Sequence, residues 1–332
     1  VRTAGELLAI SKPEKLFPND PAEAKKCYHD LAKEWHPDAH KHNNKESENV
    51  FQHISVLYER ALQKFEEGGW DADGVLLVHS KSGTGWMLKY LVHHKFALGD
   101  CYVGDNSIVY LLEAKHKSLV DNALRTVQSF KFHDAMEKEF KRYLPQDVVA
   151  METKDGKWAV KVGKTPDLIM LRDVVDYYKG CLDEKHIAWV QSSLHNLACY
   201  LSFTGISHQD ISLDTYFISP KNHNGALLGG WWYSAPIGSS LIGKSIPTRT
   251  FSILPWEVQQ KRLAMPHTDL ELVRAVGREC GSVPNPMRDF LRSASSGSAV
   301  DDYKAWGDVL KTSFGARRFT EMKVSPEMIY QE

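Results

Sequence analysis

His36, Pro37 and Asp38 follow Trp35 at the end of an apolar-periodic segment, and their types suit recognition of a partner. Pro37 has a fixed φ and biases His36 away from helical angles, so a helix ends there and the loop presents a defined shape. Asp38 offers an acceptor that a partner's arginine can take in a charge-assisted pair. Upstream, Lys26, His29 and Lys33 recur at spacings of three and four with Lys25 alongside, a basic strip interrupted by Asp30. His36, His40 and His42 crowd one loop but lack a carboxylate or cysteine partner at ligand spacing, so no metal site is expected. Cys27, Cys101, Cys181, Cys199 and Cys280 are scattered, odd in number and never paired as C-x-x-C, which predicts buried thiols in place of a disulfide frame or zinc ribbon.

Two helices must position the first loop. Asp20-Pro21-Ala22-Glu23 reads as a helix start, with Asp20 as cap, Pro21 at the first helical position and Glu23 reaching back. Ala24, Cys27, Tyr28, Leu31, Ala32 and Trp35 then line one face. Phe51, Ile54, Leu57, Tyr58, Ala61, Leu62 and Phe65 form a second stripe of the same period after a polar stretch, which predicts an antiparallel helix pair.

At 332 residues the chain is long enough for two cores. A net charge of -1 gives no global bias toward nucleic acid or membrane, so neither is expected as a partner and any electrostatic recognition is local. No stretch approaches the roughly 18–20 apolar residues of a spanning helix, and Val1 to Ile10 lacks the apolar core of a secretory signal, so a cytoplasmic location is expected.

Trp35-His36-Pro37-Asp38 in this spacing resembles the J-domain family over residues 5 to about 66, with Tyr28, Leu31 and Ala32, and Phe51, Ile54 and Tyr58, on the family's two long helices. The resemblance implies docking on a DnaK-type chaperone ATPase. Lys25, Lys26 and Lys33 would attract an acidic surface of that partner, and His36, Pro37 and Asp38 would contact it and trigger ATP hydrolysis. Asp30 departs from a usually basic position. Neither a glycine- and phenylalanine-rich linker nor a cysteine-rich zinc module follows, so specialisation is expected downstream.

Gly68-Gly69-Trp70-Asp71 breaks the second helix, and the glycine- and serine-containing stretch from Ser80 to Gly85 marks a boundary. Strands are expected at Leu88–Leu98, Ile108–Ala114, Val148–Thr153 and Trp158–Val162, with a hairpin turn at Asp155-Gly156. A helix is expected over Asn122–Leu144, and a mostly helical region from Leu168, clearest over Glu184–Leu201. This order resembles the protein-kinase fold over roughly residues 86–310. His208-Gln209-Asp210 is similar to the kinase catalytic loop, and the resemblance implies that Asp210 accepts a substrate hydroxyl proton. Lys115, or else Lys117, would contact phosphate from a strand over Leu111–Lys115, with Glu137 or Glu139 as its ion-pair partner. Thr268-Asp269-Leu270 is similar to the helix whose aspartate fastens that loop.

The departures from the kinase pattern decide the reading. Thr215 stands where kinases place a metal-binding asparagine, and Leu227-Leu228-Gly229-Gly230 offers glycine where they place the magnesium aspartate. Without both ligands the charge on a transferring phosphoryl group goes unneutralised. Cys101 replaces a glycine between Gly99 and Gly104, which are expected to flank the nucleotide-covering turn. Trp231, Trp232 and Tyr233 either anchor an interface or bury against the helices, and Arg317-Arg318-Phe319 is a second surface candidate.

The expected fold class is therefore α+β and multidomain: an all-α J-domain hairpin at 1–70, a linker at 71–85, and a two-lobed kinase-like fold resembling a pseudokinase at 86–332. The expected function is a co-chaperone that stimulates a DnaK-type ATPase while the second domain binds a client, with no cofactor required and ATP binding left open. An atypical protein kinase using Asp210, with Asp214 rescuing a metal site, is the alternative. A scaffold with an inactive J domain is a third.

Overall fold

The computed structural model describes residues 3–10, 12–18, 20–36, 44–66, 74–130, 132, 140–316 and 320–330. The chain is of mixed α+β class and divides into two compact units, Val1–His79 with Gly83–Tyr90, and Ser80–Ser82 with Leu91–Glu332.

The first unit contains α1 (Ala4–Leu8), α2 (Pro21–Trp35) and α3 (Asn44–Glu66). Asp20 caps α2 by accepting from the N–H groups of Ala22 at 2.9 Å and Glu23 at 2.8 Å, two donors that a helix start leaves unpaired. Tyr28 of α2 stacks on Tyr58 of α3 with centroids 4.2 Å apart, and eight residues later His36 meets Phe51 edge-on at 5.6 Å. Contacts that advance along one helix and retreat along the other make the pair antiparallel. Ala24, Val50, Ile54, Leu57 and Ala61 close the core with Leu7, Leu16 and Phe17. Leu62, expected in the stripe, is 40% exposed, while Val50, outside it, is buried.

The expected linker at 71–85 contains strand β1 (Val75–His79), which pairs with β2 (Gly85–Phe96) through Leu77 opposite Met87. Glycines on either side conceal a Val-Leu-Leu-Val run of strand-forming residues. The dividing line between the units falls inside β2.

In the second unit the sheet runs β2, β3 (Gly99–Gly104), β4 (Ser107–Leu112), β6 (Trp158–Gly163), β5 (Gln146–Glu152), with antiparallel pairing of β3 with β4 and of β4 and β5 with β6. The stretch from Gly99 to Gly104, expected as ends of a turn, is a strand. A Cβ at Gly99 would lie 1.9 Å from the carbonyl oxygen of Leu111, so only glycine permits this close approach. The first part of the expected helix over Asn122–Leu144 is α4 (Lys117–Gln128), which begins five residues earlier and is stopped as Ser129 Oγ turns back to the carbonyl of Thr126, while residues 131 and 133–139 of that span lie outside the described residues.

After β6 come β7 (Ile169–Met170), α5 (Leu171–Tyr177), α6 (Glu184–Thr204), β8 (Ile206–Ser207), β9 (Tyr216–Ser219), β10 (Asn224–Leu227) and β11 (Ala235–Pro236). The helices α7 (Thr248–Ile253), α8 (Trp256–Lys261), α9 (Pro266–Glu279), α10 (Asn285–Arg292), α11 (Ala299–Phe314) and α12 (Pro326–Tyr330) complete it. The long α6 lies at the centre, with α9 and α11 packed on it, and one continuous core joins the sheet to these helices. Cys101 and Cys280 are buried as expected of structural thiols, whereas Cys181 is exposed. No helix among the described residues is long and apolar enough to cross a membrane.

Candidate functional sites

On the first unit, Lys25, Lys26, His29 and Lys33 are all exposed on α2, and His36 is exposed at its C-terminal cap with ψ 134°. That extended angle is what a following proline imposes. Pro37 and Asp38 lie outside the described residues, as do His40 and His42. The strip runs along the exposed side of α2 from Lys25 to Lys33, and His36 follows at the helix's C-terminal end.

On the second unit, α6 ends at Gly205 in the left-handed region, and β8 leads into His208-Gln209-Asp210. Asp269, in the first turn of α9 and 3% exposed, accepts from the backbone N–H of His208 and of Gln209, each at 2.8 Å. This is the fastening role expected of it. Burial pushes its carboxyl up to about 6 against these donors. Gln209 sits at φ 68°, a strained angle held by Asp269 and by Thr250 Oγ1, which donates to the Gln209 carbonyl at 2.7 Å.

His208 organises the turn. Nε2 donates to the carbonyl of Gly229 at 2.9 Å, and Nδ1 accepts from the N–H of Asp210 at 3.2 Å. Both bonds are satisfied by one neutral tautomer, and burial pushes the ring down to about 3. Asp210 keeps partial access to solvent. Burial pushes its carboxyl up to about 8, with Arg249 opposing the shift and Asp214 adding to it. A carboxyl in that state is mostly protonated at neutral pH.

Among the described residues, Asp214, Thr215, Lys115 and Lys117 are engaged or placed otherwise than as magnesium or phosphate ligands beside Asp210. Asp214 is exposed and held by Arg172 of α5 through two bonds of 3.0 and 3.3 Å. Thr215 spends its hydroxyl on the chain, donating to the carbonyl of Asp210 at 2.8 Å and accepting from the N–H of Ser212 at 2.9 Å. Lys115 is not on a strand: β4 ends at Leu112, and Lys115 is exposed on the 3-10 turn Ala114–His116. Lys117 pairs with Asp121 on the surface of α4. Glu137 and Glu139, and also Arg317-Arg318-Phe319, lie outside the described residues. Among the described residues no group of three His, Cys, Asp or Glu side chains is placed to hold a metal.

What β4 sends toward the loop is Tyr110, which the sequence reading passed over in its search for a lysine. A Cβ at Gly229 would lie 2.6 Å from the Tyr110 hydroxyl, and one at Gly230, itself at φ 80°, 2.6 Å from the His208 ring. Trp232 meets Tyr110 edge-on at 5.3 Å, and Trp231 meets His208 at 4.5 Å and Phe130 at 4.9 Å. Asn122 of α4 ties this segment down, donating to the carbonyls of Trp232 at 3.0 Å and Ser234 at 2.8 Å. Trp231 and Trp232 are 3% and 4% exposed, so these rings are core and not surface anchors. The glycines are therefore a steric requirement: aromatic area fills the space that a metal-binding carboxylate would need. No protein-family model matches the chain, and no curated protein matches it.

Proposed function

We propose that this chain is a co-chaperone whose first unit docks on a DnaK-type chaperone ATPase and stimulates its hydrolysis of ATP, while the second unit, a kinase-like fold without phosphoryl transfer, binds a client protein. The observation that carries the first half is the exposed His36 at the end of α2, continuous with Lys25, Lys26 and Lys33, on an antiparallel pair held by the Tyr28–Tyr58 stack. Charge on such a strip acts mainly on encounter and orientation. Tethering a client site to it raises the local concentration of chaperone around the client, so a weak contact is sufficient.

The second half rests on the closed glycine turn. A kinase that uses Asp210 needs a carboxylate near Gly229, and the Tyr110 hydroxyl and Thr215 occupy that space. Asp214, engaged by Arg172, is not free to replace it.

Replacing Lys25, Lys26 and Lys33 together by glutamate tests the docking surface. The concentration of this protein needed for half-maximal stimulation of a DnaK-type ATPase should rise roughly tenfold or more at low ionic strength, and the difference should shrink as salt approaches a Debye length of about 3 Å near 1 M. A difference independent of salt would place the effect outside electrostatic steering.

A further inference from the structure

The last helix ends on a side chain that the co-chaperone reading does not use. Tyr330 donates its hydroxyl hydrogen to Asp173 Oδ2 at 2.7 Å and accepts from the backbone N–H of Met170 at 3.4 Å. Asp173 lies in the first turn of α5 and is 8% exposed; its other oxygen, Oδ1, is 2.9 Å from Nε2 of His94 on β2. One phenol thus bridges β7 and α5, and one carboxylate joins that bridge to the sheet.

Beyond the phenol's bonds, the helix that carries Tyr330 rests on the main core only through Ile329 and the Tyr330 ring, both partly buried. With five residues, none fully buried, α12 is too short to persist by its own hydrogen bonds. The chain before it is anchored differently: Met322 and Val324 are buried in the main core at 3% and 8% exposure. Anchored residues followed by a five-residue helix held by the Tyr330 hydroxyl and by two partly buried side chains make a segment able to open locally at low cost.

We propose that α12 is a displaceable latch, hinged after Val324, whose Tyr330 covers the carboxylate of Asp173 and the N–H of Met170 and whose release exposes both groups to solvent. Closure removes Asp173 from water, which is least costly while His94 carries a positive charge beside it. The Asp173 carboxylate, 2.9 Å away, holds His94 above its usual value of 6.5, in opposition to burial. Because the folded value is raised, the charge that favours closure is fully present below that usual value and is lost as pH rises through the raised one. The other groups facing the cluster are Arg172 and Asp176 on α5, Asp214 after β8 and Cys101 on β3. Arg172 is already engaged by Asp214. This inference stands apart from the chaperone reading, which uses none of Tyr330, Asp173 and His94.

Hydrogen exchange of the full chain, read by mass spectrometry on peptides covering 324–330, tests the latch. Tyr330→Phe and Asp173→Asn should each speed exchange of this tail about tenfold or more with the global melting temperature unchanged. The wild-type tail, corrected for intrinsic exchange, should be less protected at about pH 8.5 than at about pH 6, and His94→Gln should flatten that difference. Tail exchange unchanged in Tyr330→Phe, or moving only together with global unfolding, would overturn the latch. A pH difference that survives His94→Gln would remove His94 from it.

Discussion

Asp210→Asn is expected to stabilise the second unit at neutral pH, by about 2–4 kcal/mol, with a gain that grows as pH rises. The carboxyl is held up to about 8 by burial, well above its usual 3.8. For an acid whose folded value is raised, stability is fully present below the unfolded value and is lost as pH rises through the folded one. The native protein therefore bears a cost between about pH 4 and about pH 8 that the neutral amide does not share. Urea unfolding of both proteins across that range measures the difference. A variant less stable than the native protein at every pH would mean that the ionised carboxylate holds the loop together.

Gly229→Asp, which restores the side chain of a magnesium site by sequence logic, should lower stability by about 1–3 kcal/mol and confer no nucleotide response. The new Cβ would lie 2.6 Å from the hydroxyl of Tyr110, a buried ring on β4 that cannot move without disturbing Trp232 and Phe96. A negative charge would also be added beside Asp210. Thermal unfolding with and without magnesium and ATP reads both effects. A variant that gained stability from magnesium and ATP together would show that the turn has room for the metal and would revive the kinase alternative.

Much of the first unit was legible because helical periodicity survives in sequence. The Asp20 cap, the stripe from Ala24 to Trp35 and its partner around Ile54 and Leu57 emerge from spacing alone. In the second unit β2, β4, β5 and β6 were legible from their runs of strand-forming residues, and Asp269 was found in its fastening role. Less was legible where the tertiary setting overrides local pattern. β1 was concealed between glycines, and Gly99 was read as a turn although it is held by the close approach of Leu111. Lys115 was chosen for its charge, whereas strand alternation from Ile108 through Tyr110 to Leu112 sets Tyr110 inward and ends before the lysine. The contact of Tyr330 with Asp173 joins residues 157 positions apart, beyond the reach of any local signal.

Steady-state ATP hydrolysis by a DnaK-type chaperone, with the full chain added as native protein or as His36→Gln, tests the central claim most directly. His36 is exposed at the end of α2, so the variant should fold as the native protein does while its stimulation falls to the level of the chaperone alone. Asp210→Asn, in the same assay, should stimulate as well as the native protein. Equal stimulation by native protein and His36→Gln, or none by the native protein across several DnaK-type chaperones, would contradict the co-chaperone account.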